Sequence, residues 1–132
     1  MYKEQLISVI IPAFNPNMAL LERAIHSVLS QTYPEIEILI CDDGSNNAIC
    51  ALQLAKLVEG TAIEGRLQLI RHETNRGISA ARNTAIGKAS GKWLVWLDAD
   101  DTLDDRCIEQ LYKASQGKTL VIGECLVTEG GT

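Results

Sequence analysis

The chain has 132 residues, with 12 Lys and Arg against 17 Asp and Glu, a formal net charge of −5 at pH 7. Hydrophobic residues make up 46% and charged residues 22%, which fits one globular domain with a buried core and excludes a disordered chain. The acidic balance argues against nucleic acid or an anionic membrane surface as main partner, but not against a small anion held through a cation or backbone N–H groups.

Short apolar runs alternate with helix-period segments. Leu6–Ala13 is a nearly continuous β-branched run, suited to a strand buried on both faces. Leu20, Leu21, Ala24, Ile25, Val28 and Leu29 recur at helical spacing and predict a helix over Met18 to Gln31. Ile36–Cys41 reads as a second strand, and Ile49, Leu52, Leu54, Ala55 and Val58 predict a helix over Asn47 to Val58. Leu67–Arg71 is a third strand, followed by a turn at Asn75-Arg76-Gly77 and a helix capped by Ser79 and reaching Lys88. Trp93–Leu97 is a fourth buried strand, Asp104 to Ala114 a helix, and Leu120–Val127 a fifth strand. This β-α alternation predicts an α/β fold: a mostly parallel, right-handed, doubly wound sheet with helices on both faces.

No apolar run reaches the roughly 18–20 residues that span a bilayer, and Met1 to Gln5 lacks a signal-peptide layout. Cys41, Cys50, Cys107 and Cys125 are scattered without a CxxC, which disfavours zinc or a disulfide framework and makes reduced thiols and a cytoplasmic location the expectation.

In open α/β sheets ligands bind beyond the carboxyl ends of the strands, where the strand order reverses. Three predicted strands end in polar loops: Pro12-Ala13-Phe14-Asn15, Asp42-Asp43-Gly44-Ser45 and Asp98-Ala99-Asp100-Asp101. Neighbouring strands would gather five carboxylates, whose repulsion calls for a divalent cation or a donor-rich ligand. Hard cations such as Mg²⁺ or Mn²⁺ take oxygen ligands, commonly one or two carboxylates plus substrate phosphates, so the pattern points to a phosphate ester or nucleotide. Each motif alone also reads as a strand-to-helix turn or a solvated acidic helix start. Leu97 to Leu103 is similar to the nucleophile loop of haloacid dehalogenase phosphatases, which would use Asp98 and Asp100, although that family carries the loop near its N-terminus. A non-enzymatic receiver-type Mg²⁺-binding domain is a further alternative, but the first strand here lacks its acidic pair.

Five linked motifs in order resemble family 2 glycosyltransferases of the GT-A fold. They are Ser8–Asn15, Ser27–Tyr33, Glu37–Ser45, Asn75–Asn83 and Gly91–Asp101. The resemblance implies transfer of a sugar from a nucleoside diphosphate, commonly UDP, to an acceptor hydroxyl with inversion, as in polysaccharide biosynthesis. It implies that Pro12, Ala13, Phe14 and Asn15 line the nucleoside pocket and that Asp43 accepts from the uracil imide, with Asp42 in support. Asp98 would face the nucleoside and, with Asp100, hold Mn²⁺ or Mg²⁺ at the diphosphate. Gly77 would allow close backbone approach to the nucleotide, and Arg82 would contact the nucleotide or the acidic cluster. His26, His72, Trp93 and Trp96 read as structural. The family's catalytic base and acceptor site, for a saccharide or glycolipid, lie beyond the acidic triplet. The expectation is therefore one donor-binding domain over residues 1–132 that ends before the acceptor half, peripheral to a membrane only through other regions.

Overall fold

The computed structural model describes residues 3–116 and 126–127. Strand β1 (Lys3–Ala13) is followed by helix α1 (Met18–Leu29), β2 (Ile36–Asp43), α2 (Ala51–Val58), β3 (Leu67–His72), α3 (Ile78–Lys88) and β4 (Gly91–Trp96). A two-residue strand β5 (Thr102–Leu103), helix α4 (Cys107–Ser115) and β6 (Leu126–Val127) complete the order. The four long strands form one parallel sheet in the order β3-β2-β1-β4, and β5 pairs antiparallel with β6. The order reverses between β1 and β4, because the chain crosses the whole sheet after β3.

Period-two alternation splits β1 between two cores. Ile7, Val9 and Ile11 join Ile36, Ile38 and Ile40 of β2 beneath α1, α2 and α4, against Leu21, Ile25, Val28, Leu54 and Ile108. Ile10 faces the other way and packs with Leu39 and Cys41 under α3, through Ala81 and Ala85. The small residues of α3 let its backbone lie close on the sheet. Helices thus cover both faces, as the alternation predicts.

Several boundaries differ from expectation. Helix α1 ends at Leu29, two residues before Gln31, and α2 begins only at Ala51, because the N–H groups of Ser45 and Ile49 bond to Asp42 instead of opening a helix. The cap of α3 is Gly77 at φ +99°, not Ser79, and α4 starts at Cys107 rather than Asp104. Strand β4 is not buried on both faces: Leu94 and Trp96 are 38% and 46% exposed, since α3 packs mainly over β1 and β2 and, among the described residues, reaches β4 on that side chiefly through Arg82 over Trp96. Most of the expected Leu120–Val127 strand lies outside the described residues. Cys41 and Cys50 are free thiols, but Cys107 is disulfide-bonded, against the expectation of reduced thiols throughout; sequence spacing carries no information on which thiols meet in space. Among the described residues no helix is long and apolar enough to cross a membrane.

Candidate functional site

The carboxyl ends of β2, β1 and β4 stand side by side, which brings the three polar loops to one edge of the sheet. At the end of β2 the two aspartates are both buried and do different things. Asp42 turns into the turn that follows it: Oδ1 accepts from Ser45 N at 3.0 Å, and Oδ2 from Ile49 N at 3.0 Å and Arg71 Nη1 at 2.7 Å. Burial alone would raise this carboxyl, but the Ile49 and Ser45 donors and the Arg71 guanidinium outweigh it and hold Asp42 below the ordinary carboxylate range.

Asp43 reaches across to the β3–α3 loop. Oδ1 meets His72 Nδ1 at 2.7 Å and accepts from Arg76 N at 2.9 Å; Oδ2 accepts from Gly77 N at 2.8 Å and Asn75 Nδ2 at 3.1 Å. Four donors fill the lone-pair positions of a carboxylate. Burial again pushes upward, and the bonds from His72, Arg76 and Gly77 more than reverse it, so Asp43 also lies below its ordinary range. The other ring nitrogen of His72 meets Thr84 Oγ1 at 2.7 Å, which ties Asp43 through His72 to α3. Gly44, at φ +74°, allows the two loops to touch: a Cβ there would sit 2.5 Å from Asn75 N.

At the end of β1, Pro12 and Ala13 are buried while Phe14 is 49% exposed. Asn15 adopts φ 46° and joins the neighbouring turn: its N–H donates to Ser45 Oγ and its Oδ1 accepts from Asn46 N, both at 2.8 Å. An open cleft of about 420 Å³ lies beside this junction, between the starts of α1 and α2, lined by Asn15, Met18, Asn46, Ile49, Cys50 and Gln53. Neither Asp43 nor the acidic loop lines it.

The acidic loop leaves β4 directly. Leu97 is buried in the core, Asp98 and Asp100 are exposed, and Asp101 N donates to Asp98 O at 3.1 Å to close a tight turn. Burial raises the Asp101 carboxyl, and the negative charges of Asp100 and Asp98 raise it further. Arg82 leans over the Trp96 ring, 5.4 Å from its centroid, with Nη2 3.4 Å from Asp98 Oδ1. Its Nε is buried and has no hydrogen-bond partner among the described residues. Among the described residues no three Asp, Glu, His or Cys side chains converge as a metal-binding group. The donor set nevertheless fits a hard divalent cation that takes one or two carboxylates and completes its shell from a ligand: the oxygens are exposed, and their mutual repulsion is what a cation relieves.

The structure therefore brings Pro12–Asn15, Asp42, Asp43, Gly77, Arg82, Asp98 and Asp100 to one end of the sheet, in two groups. Asp42 and Asp43 are engaged by neighbours, whereas Asp98 and Asp100 are open to solvent. At Gly77 a Cβ would meet no protein atom within 4 Å, so the space beside it is free, although the positive φ favours glycine there anyway. Ser45 and Asn75, from the motifs singled out in the sequence, belong to the assembly, and so do His72 and Thr84, which were not expected there. For His72 the one sequence signal was its place at the end of an apolar strand; Thr84 had none.

This chain matches the family described as Glycosyl transferase family 2 over residues 8–132. It belongs to that family. It is 34% identical over 121 residues to glycosyltransferase GlyG of Streptococcus pneumoniae, covering 90% of this chain and 38% of the relative. It is 37% identical over 98 residues to the Escherichia coli UDP-Glc:alpha-D-GlcNAc-diphosphoundecaprenol beta-1,3-glucosyltransferase WfgD, covering 74% and 36%. Among solved structures it resembles Staphylococcus aureus TarS in complex with UDP (TM-score 0.72, 24% identity, 84% of this chain and 32% of that one). The TarS complex with UDP-GlcNAc gives a TM-score of 0.65 at 28% identity, covering 84% and 30%. The fold is thus that of the GT-A glycosyltransferases, and the chain spans well under half the length of these relatives.

Proposed function

We propose that this chain is the donor-binding part of an inverting glycosyltransferase that takes its sugar from a UDP-sugar, assisted by Mn²⁺ or Mg²⁺. The observation that carries this reading is the adjacency of the β2 and β4 ends across β1, which sets a rigid donor-and-acceptor frame at Asp43 beside an exposed acidic loop at Asp98 and Asp100. The complexes of TarS with UDP and UDP-GlcNAc support it. The uracil lies near Pro12–Asn15 and Asp43, with the Phe14 ring against it. Because every lone-pair position of Asp43 is already used, base recognition proceeds by exchange: the Asn75 side chain has the longest of the four bonds, and its Nδ2 keeps a second acceptor in the Asp43 backbone carbonyl at 3.3 Å, so it yields Oδ2 to the imide N–H. Asp42 acts at one remove, by holding the Ser45–Ile49 turn.

Asp100 and Asp98 would hold the cation, which would supply positive charge to offset that of the leaving diphosphate. Arg82 keeps Asp98 oriented, and Gly77 leaves room for the nucleotide. The general base that inversion requires is assigned to no residue here. We further propose one structural unit over residues 1–132 and an acceptor that is a saccharide or glycolipid, as the name of the E. coli relative suggests.

Titrating the chain with UDP, with and without Mn²⁺, while following amide shifts tests the reading. Shifts should appear at Asp43 and Asn75 with UDP alone and extend to Asp98–Asp101 with Mn²⁺. No perturbation at millimolar UDP with Mn²⁺ would refute it. A phosphoenzyme at Asp98 would instead favour the dehalogenase-type reading.

A further inference from the structure

The Ser27–Tyr33 motif takes no part in the site as described, yet four hydrogen bonds tie it to the segment just after the acidic loop. Ser27 Oγ accepts from Leu103 N at 3.0 Å. Gln31 Nε2 donates to Asp104 O at 2.6 Å, and Gln31 Oε1 accepts from Ile108 N at 3.0 Å. Thr32 N donates to Asp105 O at 3.0 Å. The Gln31 amide is itself fixed by a second bond, from Nε2 to Ser27 O at 3.0 Å. Helix α4 has no side-chain cap of its own at Arg106, so the Gln31 carbonyl satisfies one of its orphan N–H groups from 77 residues away.

The other end of the acidic loop is pinned too. Leu97 N donates to Ile10 O at 3.0 Å, and both Leu97 and Leu103 are buried in the main core. Asp98–Asp101 is therefore suspended between two fixed points, one made by the sheet and one by the end of α1. A loop of mutually repelling carboxylates left free at one end would splay, and a cation would then have to order it at the moment of binding. Anchoring both ends supplies that order in advance.

We propose that Gln31 and Ser27 are positioning residues for the acidic loop: they set its metal-dependent affinity for the diphosphate without touching ligand. This rests on the functional reading above. A purely structural staple between α1 and α4 would instead weaken nucleotide binding with and without metal alike, or leave both unchanged.

Two variants separate these cases. Gln31→Glu keeps the shape and the acceptor for Ile108 N but sets a carboxylate oxygen against the carbonyls of Ser27 and Asp104. Ser27→Ala removes the acceptor for Leu103 N, and Ser27→Thr restores a hydroxyl. Gln68→Glu, exposed on β3, controls for the added charge. The first readout is hydrogen exchange in the ligand-free, metal-free chain, where the amides of Asp101 and Leu103 should exchange about fivefold to tenfold faster in Gln31→Glu and Ser27→Ala. The second is the UDP dissociation constant in excess EDTA and in saturating Mn²⁺. Wild type should gain affinity on adding Mn²⁺. The two variants should keep the EDTA value within about twofold while losing roughly fivefold to tenfold of the Mn²⁺ gain. Ser27→Thr and Gln68→Glu should match wild type.

A full Mn²⁺ gain in both variants overturns the proposal, and so does a loss shared equally between the EDTA and Mn²⁺ arms. If Gln31→Glu fails to fold, Ser27→Ala against Ser27→Thr decides alone. Absence of any Mn²⁺ gain in wild type is a different failure: it removes the metal from the functional reading and this inference with it.

Discussion

Replacing Gly44 by alanine should cost far more than its position in an exposed-looking turn suggests. Two effects add. The residue sits at φ +74°, where a side chain costs about 1–2 kcal/mol. The new Cβ would also lie 2.5 Å from Asn75 N, 2.5 Å from the Thr74 carbonyl carbon and 2.9 Å from Thr74 Cα, where 3.4 Å or more is ordinary. All three are backbone atoms, so no side chain can swing away, and relief requires the whole Thr74–Gly77 loop to move. Overpacking of this kind costs about 1–3 kcal/mol. The sum is about 2–5 kcal/mol against a total of about 5–15 kcal/mol for a domain, so the variant folds but is weakened. Gly60 provides the control: its φ is +77° and a Cβ there meets nothing within 4 Å, so Gly60→Ala isolates the backbone strain. In urea titrations with a slope of about 1.5 kcal/mol/M, Gly60→Ala should lower the midpoint by roughly 1 M and Gly44→Ala by roughly 1–3 M. Hydrogen exchange at Arg76 and Gly77 should accelerate in Gly44→Ala beyond the global loss, since their N–H groups are displaced from Asp43. Equal midpoints for the two variants would show that the close approach of the loops contributes nothing, and the account of how Asp43 is held would fall with it.

Asp100→Asn should abolish the Mn²⁺ dependence of UDP binding while Asp104→Asn should leave it intact; equal effects on titration would mean the metal site is misplaced. Asp42→Ala strips Ser45 N, Ile49 N and Arg71 of their common acceptor and should lower stability by about 2–4 kcal/mol in urea unfolding, whereas a loss under 1 kcal/mol would show that water replaces it. Asp42 and Asp43 both titrate below their unfolded value of about 3.9, so their contribution is complete above that pH and disappears as pH falls through their lower folded values. The urea midpoint should accordingly stay level from pH 7 to about 5 and drop below about pH 4; a decline starting near pH 6 would contradict the assignment. Cys50 is exposed, while burial and the neighbouring Asp43 and Asp42 push the Cys41 thiol up to about 11. Iodoacetamide should thus label Cys50 in the native chain and Cys41 only after unfolding, as read by mass spectrometry.

The long elements were legible in the sequence because their periodicity is local: the β-branched run of β1 and the spacing of Leu21, Ala24, Ile25 and Val28 in α1 need no partner to be recognised. The starts of α2 and α3 were misplaced for a common reason. Ser45, Ile49, Arg76 and Gly77 give their N–H groups to aspartates at the end of β2, up to 34 residues away, and the chain between cannot show this. The same holds for the site. Its acidic loops were readable as strings of residues, but the division of labour between a saturated Asp43 and an open Asp100 depends on His72 and Asn75 arriving from another loop. Strand β5 was missed because two residues have no period at all.

The position of β1 between β2 and β4 has a consequence for synthesis. Pairing with β2 can begin early, but β4 starts at Gly91, 78 residues after Ala13 (91 − 13), so at about 5–20 residues per second one flank of β1 waits roughly 4–16 s for its partner. During that interval the nascent chain displays Ile7 to Ile11 with a row of unsatisfied backbone groups, a template for strand addition by another molecule. Pro12, which lacks an N–H and lies beyond the last residue paired with β4, limits how far such an intruding strand could extend. The central strand of the finished sheet is thus the segment most exposed to aggregation while the protein is being made, and slower translation between α2 and β4 should lower the soluble yield.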